Sequence, residues 1–491
     1  QRIKNGNGKI FNRNETIPSS QRLRDACPAA MPVFFISKLL DTALQMRYTR
    51  YMIKILILGG GFGGVKVALD LSRFFSRRMS GSKNRGSSIP QESGSKNKDN
   101  EEVHITLIDK SECQTFTPAL YEVASVFGVN HEHPYHGKIR GVISIPYGEI
   151  FRGKNIELVQ AEINHIDLAA KHVVTNNGAT IDFDYLVIAF GSTVSTFGIP
   201  GVEEYAYKFK TVEDALAVND KLEELYVAAS KAQRPLPVNI LIGGAGFNGV
   251  ELAAELSNCT IHIAHRHAIT EQNCTSIMLV EAGPVILPMV SEKERNLIQK
   301  RLKNLGINIL TNSAIEEVGP DYMKLKGGSI LKGDLIVWSG GLKAIDLFKS
   351  VAGLELDERG RIVVNDFLQL KNQTGTFGVG DSTVFIDPVT KKPIPQMAFI
   401  AIEQGRVAAE NIYRLISNRS ELKKYRPSYN IWIAPVGGKY AVAHMGSWTF
   451  SGFAGYMLRE LTDLRYFLSV LPFWKGLRLF YEDIRVFSKN D

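Results

Sequence analysis

The stretch IKILILGGGFGG, residues 53–64, decides the fold class of this chain. Its first half, residues 53–58, is short, apolar and β-branched, which is typical of a parallel strand buried on both faces. Gly59, Gly61 and Gly64 then fill a GxGxxG pattern, and a helical pattern follows. In such a turn the glycines allow a tight bend and close approach of a pyrophosphate, while the helix N-terminus offers N–H groups to the anion. The stretch therefore predicts the start of a dinucleotide-binding βαβ unit.

An acid ends the next predicted strand. Residues 103–108 (VHITLI) are apolar, and Asp109 follows them. Asp109 lies 50 positions after Gly59, whereas about 20 is usual, because the polar stretch 77–102 interrupts the unit. We expect that stretch to be a flexible surface loop. Asp109 is predicted to accept a hydrogen bond from a ribose 2′-hydroxyl; the alternative is a solvated acid at a strand end.

The same arrangement occurs a second time. Residues 238–242 form a strand, 243–249 (GGAGFNG) a glycine turn, 250–257 a helix, and strand 276–280 ends in Glu281. An acid at this position accepts from a 2′-hydroxyl and repels a 2′-phosphate, so NADH is expected to be preferred over NADPH. A single glycine pattern is often only a flexible loop, but two copies in the same context argue for two nucleotide sites.

A third signal lies at residues 376–381 (TFGVGD), where Gly380 and Asp381 follow a short strand. A carboxylate there can accept from the ribityl chain of a flavin or organise water at its pyrophosphate. Alone, this pattern is a common turn. Together with two nucleotide units it predicts FAD on the first unit and NAD(H) on the second.

The composition of the chain excludes several classes of protein. The chain has 491 residues, 44% hydrophobic and 22% charged, which is ordinary for globular proteins. Residues 1–51 carry six of its eight net positive charges, so the remainder shows no nucleic-acid signature, and no nucleic-acid partner is expected. The four cysteines form neither CxxC nor CxxxxC, so we predict no metal site and no redox dithiol.

Residues 1–51 have two interpretations. They could be a basic targeting extension, which would make a mitochondrial location plausible, or sequence upstream of a start at Met52. We favour the second, because the first strand begins at Ile53.

The C-terminal segment is predicted to contact a membrane surface. Apolar residues recur at helical spacing over 456–471 and 473–487, interrupted by Pro472. Trp474, Tyr466 and Tyr481 can sit at headgroup level, as in helices that lie in the interface plane. Between the apolar residues lie five basic ones: Arg459, Arg465, Lys475, Arg478 and Arg485. Packing on the body, or a homodimer seam, is the alternative. No uninterrupted apolar run is long enough to predict a spanning helix. We expect removal of 453–487 to leave a soluble, still yellow protein.

Several longer stretches resemble type II NADH dehydrogenases, the single-chain NADH:quinone oxidoreductases among the flavoproteins with two dinucleotide-binding domains. They are FTPALYEVAS (116–125), LVIAFGS (186–192), FGIPGVEEYAYKFKTVEDA (197–215), GVELAAEL (249–256), LVEAGPVILP (279–288), VWSGGLKA (337–344) and FGVGD (377–381). The resemblance implies an α/β fold with two Rossmann-like domains. An FAD domain (52–205 and 346–425) would be split by an inserted NADH domain (206–345), followed by a membrane-docking segment (426–491).

The resemblance also implies the activity and the cofactor contacts. A hydride would pass from NADH to FAD, and two electrons to a membrane quinone without proton pumping, at the cytoplasmic face of a membrane. The implied FAD contacts are Gly59, Gly61, Phe62, Gly63, Gly64, Asp109, Lys110, Pro118, Leu120, Gly191, Gly380, Asp381 and Ala398. The implied NADH contacts are Gly244, Gly246, Phe247, Asn248, Gly249, Glu281, Gly340 and Gly341.

Four residues are candidates for the chemistry: Glu251, Phe399, Glu403 and Gln404. The Glu matching Glu251 in the family acts in the nicotinamide and quinone region. Phe399 and Glu403 stand where the family's quinone signature AQxxxQ has glutamine, whereas Gln404 matches what usually follows. Either the quinone is held differently here or the acceptor is an unusual one. Sulfide:quinone reductases are disfavoured, since they need a late cysteine and none follows Cys274.

Overall fold

The computed structural model describes residues 52–83, 102–126, 135–269, 274–419, 421–429 and 431–487. Both interpretations of residues 1–51, and most of the predicted loop 77–102, lie outside these ranges.

The first large sheet is built around the apolar strand that precedes the first glycine turn. Met52–Leu58 is almost fully buried and pairs in parallel with a strand on each side, as expected for an apolar β-branched run. The six strands in spatial order are Gln369–Leu370, Gln373–Gly378, Tyr185–Ile188, Met52–Leu58, Glu102–Asp109 and Glu157–Gln160. All neighbouring pairs are parallel except the antiparallel edge pair formed by the first two.

The second large sheet has five parallel strands, and all of them come between the two parts of the first sheet along the chain. In spatial order they are Tyr207–Lys208, Leu335–Trp338, Val238–Gly243, Thr275–Val280 and Asn308–Leu310. Each large sheet thus carries one of the two predicted glycine turns at the end of its central strand.

The remaining strands of the described residues form six smaller sheets. Three antiparallel three-stranded sheets are Ile163–Asp167, His172–Thr175 and Thr180–Asp182; Ile315–Gly319, Tyr322–Leu325 and Ile330–Lys332; and Ile431–Pro435, Ala441–Met445 and Trp448–Gly452. Three two-stranded pairs are Cys113–Thr115 with Ser144–Pro146, Thr193–Val194 with Leu342–Lys343, and Ile362–Val363 with Thr383–Val384.

The helices surround these sheets. In chain order they are α1 Phe62–Lys83, α2 Leu120–Ser125, α3 Tyr135–Ile143, α4 Tyr147–Ile150, α5 Val202–Tyr205, α6 Val212–Ser230, α7 Phe247–Arg266, α8 Glu292–Asn304, α9 Ala398–Ile416, α10 Phe453–Val470 and α11 Phe473–Phe487. Short 3₁₀ turns occupy Thr117–Ala119, Asp346–Ser350 and Gly380–Ser382.

Two helices are longer than the sequence pattern indicated. Helix α1 continues to Lys83, so the first part of the predicted 77–102 loop is helical. Helix α7 runs on past residue 257, because Cys259, Thr260 and Ile263 keep its buried face at helical spacing. Residues 258–266, beyond the predicted helix, are therefore helical.

Candidate active site

The first glycine turn forms a cradle at the carboxyl end of Met52–Leu58. Gly59 has a φ of +102°, which residues with a Cβ rarely adopt, and a Cβ on Gly64 would collide with the carbonyl oxygen of Gly59. Around Gly61, by contrast, a Cβ would meet nothing within 4 Å. The turn is thus closed toward the sheet and open where the N–H groups of α1 begin, which suits a pyrophosphate.

Asp109 is held at the edge of this cradle. Its Oδ2 accepts a hydrogen bond from Gly60 N at 2.6 Å, and its Oδ1 accepts one from Ser111 N at 2.8 Å. The hydroxyl of Tyr147 donates to Gly60 O at 3.0 Å, and burial, together with Asp109, raises the pKa of Tyr147 well above its ordinary value. Tyr147 was not predicted. The neighbouring Lys110 is exposed.

Asp381 follows the strand Gln373–Gly378, which lies two strands from Met52–Leu58 in the same sheet. Its Oδ2 accepts from Ser192 Oγ at 2.9 Å and lies 3.5 Å from Lys210 Nζ, which donates to Ser192 Oγ at 3.0 Å. Gly191, beside Ser192, has a φ of +76° and open space around its Cβ position. Neither Ser192 nor Lys210 was predicted, although both lie in stretches that carried the family resemblance.

Helix α9 begins at Ala398 and crosses behind the first turn. Gln404 Oε1 accepts a hydrogen bond from Gly380 N at 2.7 Å, and the side chain is buried. The next residue, Gly405, packs so closely on Gly63 that a Cβ would come within 2.7 Å of Gly63 O. The structure therefore places Gln404, predicted for the chemistry, as a support for the Gly380 turn.

Glu403 points to the other side of α9. It lines a cleft of about 440 Å³ together with Arg406, Val407 and residues 423–426. Burial raises the pKa of Glu403, and its Oε2 has no hydrogen-bond partner among the described residues. Phe399, one turn earlier, is half-buried against the main core. The surroundings of Glu403 are thus mainly charged side chains rather than the apolar C-terminal helices.

The second turn repeats the geometry of the first. Glu281 Oε2 accepts from Ala245 N at 2.9 Å, as Asp109 does from Gly60, and its Oε1 accepts from Gly283 N at 2.8 Å. Gly244 has a φ of +100°, and a Cβ on Gly246 would meet nothing within 4 Å. Three other predicted contacts lie in the same turn. Gly249 packs on the Gly244 carbonyl, and Asn248 is exposed. The ring of Phe247 lies 5.8 Å from that of Trp432.

Gly340 and Gly341 lie where the two large sheets are linked. A Cβ on Gly341 would collide with the ring of Phe197, and Ser195 N donates to Gly341 O at 2.9 Å. Trp338 Nε1 donates to Ser195 O at 2.8 Å and packs against Gly340. The two glycines therefore allow the second large sheet to pack closely against residues 195–197, which lie in the segment between the two large sheets.

Glu251, at the start of α7, faces a buried arginine from α10. Burial raises the pKa of Glu251 to about 8, while Arg459 lowers it and Glu122 raises it. The Nη2 of Arg459 donates to Tyr121 Oη at 3.0 Å and to Pro118 O at 3.3 Å, and lies 3.5 Å from Glu122 Oε1. Arg459 was expected among the basic residues of a helix that lies in the membrane interface; instead it is buried, because it is the counter-ion of the acids around it.

Contacts between aromatic rings also connect α10 with the first glycine turn. The ring of Tyr466 lies 5.0 Å from that of Phe62 and 5.4 Å from that of Phe116, and its hydroxyl donates to Gln114 Oε1 at 2.7 Å. Tyr466 was expected at headgroup level, and that prediction is wrong because these partners lie inside the protein. Leu120, in the same motif as Phe116, is buried.

The opposite face of the C-terminal segment is apolar and exposed. Its exposed residues are Trp448, Phe450, Phe453, Met457, Leu461, Phe473, Trp474, Tyr481 and Ile484. The buried face of α10 carries Arg459 and Asp463 beside Gly455, Phe467 and Val470. This helix therefore buries an arginine and an aspartate while it exposes several large apolar side chains. Among the helices of the described ranges, none is long and apolar enough to cross a bilayer.

Comparison with known proteins agrees with this geometry. Residues 92–405 match the family described as pyridine nucleotide-disulphide oxidoreductase. The chain is 30% identical over 378 residues to the type II NADH:quinone oxidoreductase of Staphylococcus aureus, covering 75% of this chain and 83% of that protein.

Two solved structures share the fold. The structure of NDH2 from Plasmodium falciparum in complex with NADH has a TM-score of 0.70 at 18% identity, covering 88% of this chain and 97% of the other. The sulfide:quinone oxidoreductase of Aquifex aeolicus has a TM-score of 0.67 at 22% identity, covering 87% and 92%. These likenesses confirm the predicted α/β dinucleotide-binding fold. Taken with the family match and the curated relative, they show that the chain belongs to the type II NADH:quinone oxidoreductases, within the pyridine nucleotide-disulphide oxidoreductase family.

Proposed function

We propose that the protein oxidises NADH through one non-covalent FAD and passes two electrons to a membrane quinone without pumping protons. The observation that carries this proposal is the repeated cradle, in which Gly60 N binds Asp109 and Ala245 N binds Glu281. Each cradle ends a central parallel strand and opens onto a helix N-terminus. Two such sites in one chain suit two dinucleotides that exchange electrons.

The residues present fit FAD on the first cradle. The space beside Gly61 is open to a pyrophosphate, and Asp109 stands at the ribose position of the fold. Asp381, with Ser192 and Lys210 around it, supplies a second polar edge for the ribityl chain. Bound FAD would supply the hydride and electron chemistry, whereas the protein supplies position and electrostatics.

NADH is proposed to bind the second cradle. Both oxygens of Glu281 already accept backbone N–H groups, so the carboxylate is held in place, and its remaining lone pairs can accept from a ribose hydroxyl. A 2′-phosphate at the same place would meet a fixed negative charge. The preference for NADH over NADPH follows from that repulsion.

The acceptor is proposed to bind near Glu251, and Glu403 on α9 is a second candidate for contact with it. Glu251 is protonated at neutral pH because its pKa is about 8, so it can donate a hydrogen bond or a proton. Glu403 also has a raised pKa and follows Phe399 on α9. If Glu403 acts on the acceptor, Glu403→Gln slows flavin reoxidation by quinone and leaves reduction by NADH nearly unchanged. Equal effects on both half-reactions, or on neither, would remove Glu403 from the acceptor site.

Membrane association is proposed through the exposed apolar face of residues 448–484. Monotopic docking at the cytoplasmic face would give a lipid-soluble quinone direct access to the site. A mitochondrial membrane applies if residues 1–51 act as a transit peptide, and a homodimer through the C-terminal segment is the alternative use of this face.

The decisive experiment is an anaerobic titration of the purified yellow protein with NADH, followed by a soluble quinone. We expect bleaching of the flavin absorbance by NADH and its return with quinone. A protein that stays colourless after reconstitution with FAD, or a flavin that NADH does not bleach, would overturn the proposal.

A further inference from the structure

The cleft of about 440 Å³ beside α9 carries an excess of positive charge, and we call it the basic cleft. Four of its lining residues are basic and one is acidic: Arg406, Lys423, Lys424, Arg426 and Glu403. Arg406 and Arg426 form no salt bridge within the part of the chain that the structure describes. Arg406 is nevertheless near enough to Glu403 to lower the pKa of that acid. Two guanidinium groups are thus left to bind an anion.

The two lysines of the basic cleft already have acids of their own. Lys423 Nζ lies 2.7 Å from Glu410 Oε2, and Lys424 Nζ lies 3.1 Å from Asp366 Oδ2. They add to the positive potential of the cleft, whereas the arginines are the cations that remain available for direct contact with a ligand.

The wall of the basic cleft that faces α9 is held in place. Asn411, fully buried on α9, donates from Nδ2 to Lys423 O at 2.9 Å and accepts from Lys423 N at 2.7 Å. Tyr425 N donates to Asp366 O at 2.7 Å. Because these bonds form without a ligand, binding does not have to order this wall, which favours affinity.

Two polar groups beside the basic cleft lack partners. Tyr425 is 2% exposed, and its hydroxyl has no hydrogen-bond partner among the described residues. The same holds for Oε2 of the half-buried Glu403. Burial, together with Glu403, raises the pKa of Tyr425, so the hydroxyl stays protonated and can donate. A buried polar group without a partner is costly, so both groups favour a ligand that supplies one.

These groups define the chemistry of the ligand. Guanidinium groups bind phosphate oxygens in a planar, two-bond geometry, and a tyrosine hydroxyl can donate to a further oxygen. The carboxylate of Glu403 accepts hydrogen bonds, so it suits a hydroxyl or amino group attached to the phosphate. Val407 is the only aliphatic residue that lines the cleft, which fits an apolar quinone poorly. A volume of about 440 Å³ is in the range of small-molecule sites.

The basic cleft is separate from both nucleotide cradles. Neither glycine turn contributes a lining residue, and neither do Asp109, Glu281 and Asp381. Its link to the first cradle is α9, because Gln404, the neighbour of Glu403, accepts from Gly380 N at 2.7 Å. A ligand can therefore occupy the cleft while both dinucleotides are bound.

We propose that the basic cleft binds a phosphate ester that carries a hydroxyl or amino group. Arg406, Arg426 and Tyr425 would contact the phosphate, and Glu403 the hydroxyl or amino group. This site goes beyond the proposed function, because NADH oxidation does not use it, and it gives Glu403 a partner other than the acceptor. Such esters occur as small soluble molecules and as phospholipid headgroups, and the test distinguishes the two sources.

Glycerol 3-phosphate tests the soluble source, since it carries hydroxyl groups and is not a fragment of either dinucleotide. It should bind to the FAD-loaded protein in a calorimetric titration, with NAD⁺ present to fill the second cradle. Arg426→Gln and Tyr425→Phe should each weaken binding about tenfold, because each removes a hydrogen bond to a charged group. Arg359→Gln, an exposed arginine outside the cleft, should bind like the wild type.

Tyr425→Phe also separates a ligand-binding role from a structural one. The ring of Tyr425 packs edge-on against Phe385, with centroids 5.0 Å apart, and phenylalanine keeps this contact. Because the hydroxyl has no partner to lose, the melting temperature without ligand should be no lower than that of the wild type. A lower melting temperature with unchanged affinity for glycerol 3-phosphate would overturn the role of Tyr425 in binding.

Vesicles test the lipid source. Phosphatidylglycerol has hydroxyl groups on its headgroup, whereas phosphatidylcholine has no donor there. If the ligand is a headgroup, Arg406→Gln with Arg426→Gln should reduce the preference for phosphatidylglycerol about tenfold or more and leave binding to phosphatidylcholine unchanged. Arg359→Gln with Lys326→Gln removes the same charge outside the cleft and should keep the preference. If the ester is soluble, both double variants behave alike on vesicles, and only the first loses glycerol 3-phosphate.

Two results would overturn the proposal. One is a wild type that binds neither glycerol 3-phosphate nor phosphatidylglycerol through Arg406 and Arg426. The other is inorganic phosphate that binds as tightly as glycerol 3-phosphate, since Glu403 would then have no donor to recognise. None of these measurements needs turnover, so a failure of the proposed NADH oxidation is seen separately.

Discussion

Tyr466 stacks on Phe116, with ring centroids 5.4 Å apart and 23° between the ring planes. One ring belongs to the C-terminal helix α10 and the other to the FTPALYEVAS motif beside the first glycine turn. Phe467, next to Tyr466, is fully buried and also contacts Phe116. The C-terminal segment is therefore part of the wall of the proposed flavin site.

This packing changes one expectation. Removing residues 453–487 would uncover Phe116 and leave Glu122 and Glu251 without Arg459, so the truncated protein should lose stability and flavin rather than stay yellow. Breaking a buried ion pair by removing one partner typically costs about 3–5 kcal/mol. Membrane attachment is better tested by changing only the outer face.

The first prediction is that Leu461→Gln, Phe473→Ser and Trp474→Ser together abolish membrane binding while flavin content is kept. These residues are 54%, 57% and 79% exposed, so the changes leave the core intact. Each should contribute roughly 1 kcal/mol or more on insertion, which lowers partitioning to vesicles about a hundredfold in total. Flotation of the protein with lipid vesicles measures it.

A matched control keeps the number of exposed apolar changes constant. Met289→Gln, Ile330→Thr and Val389→Ser alter equally exposed residues outside the C-terminal segment and should not affect binding. Binding of the wild type should survive high salt, since salt screens only the basic residues. If high salt alone releases the wild type from vesicles, or if the control variant loses binding, the exposed apolar face of the C-terminal segment has another role.

The second prediction separates two roles of Gln404. Gln404→Leu removes the acceptor of the Gly380 N–H, and an unsatisfied buried N–H costs about 1–3 kcal/mol. We expect the FAD dissociation constant to rise about tenfold, measured by flavin fluorescence during dilution. Gln233→Leu, the same change at an exposed position, is the control. If instead the FAD affinity is unchanged and the KM for quinone rises, Gln404 acts in the acceptor site rather than in FAD binding.

The parts of the site that the sequence predicted are local ones. Asp109 and Glu281 could be located because a strand, a glycine turn and a second strand bring acid and turn together by a short-range rule. Tyr147 reaches Gly60 over 87 positions, Ser192 reaches Asp381 over 189, and Arg459 reaches Tyr121 over 338. No spacing pattern encodes such contacts, because tertiary packing decides them.

The C-terminal helices illustrate the same limit. Their apolar periodicity was visible, but which face turns inward was not, since both faces contain large side chains. The i, i+4 series Gly455, Arg459, Asp463 and Phe467 is the buried stripe of α10. The available signal was a glycine followed at that spacing by an Arg–Asp pair, Arg459 with Asp463. The basic residues of the segment suggested a helix lying in the membrane interface instead.

The third prediction concerns the nucleotide. Glu281→Gln keeps an oxygen that can accept from Ala245 N and removes the charge facing a 2′-phosphate. We expect the wild type to prefer NADH by about a hundredfold in kcat/KM, and the variant to lose roughly a factor of ten of that ratio. Steady-state rates with both nucleotides and one soluble quinone measure it. If the ratio of kcat/KM for NADH to that for NADPH does not change, a residue other than Glu281 discriminates between the nucleotides. Glu292→Gln, at the N-terminus of α8, controls for the general loss of a negative charge.

The fourth prediction is a pH dependence of stability set by Glu251. Its pKa is raised from the usual 4.5 to about 8 in the folded protein, so the folded state binds more protons than the unfolded state between these values. Stability from this group is therefore fully present below pH 4.5 and is lost as pH rises toward 8, by up to about 1.4 kcal/mol for each pH unit.

Glu251→Gln keeps the shape of the neutral acid and cannot ionise. The variant should lose less stability than the wild type as pH rises through this range, and the two should differ most above pH 8. Thermal unfolding of both proteins across the range measures the difference, with Glu292→Gln as an exposed control that follows the wild type. Because burial and Glu122 also raise the pKa of Asp483, part of the pH dependence should remain in Glu251→Gln. Parallel curves for wild type and Glu251→Gln would mean that Glu251 is ionised in the folded protein, and that the proton beside the acceptor is held by another group.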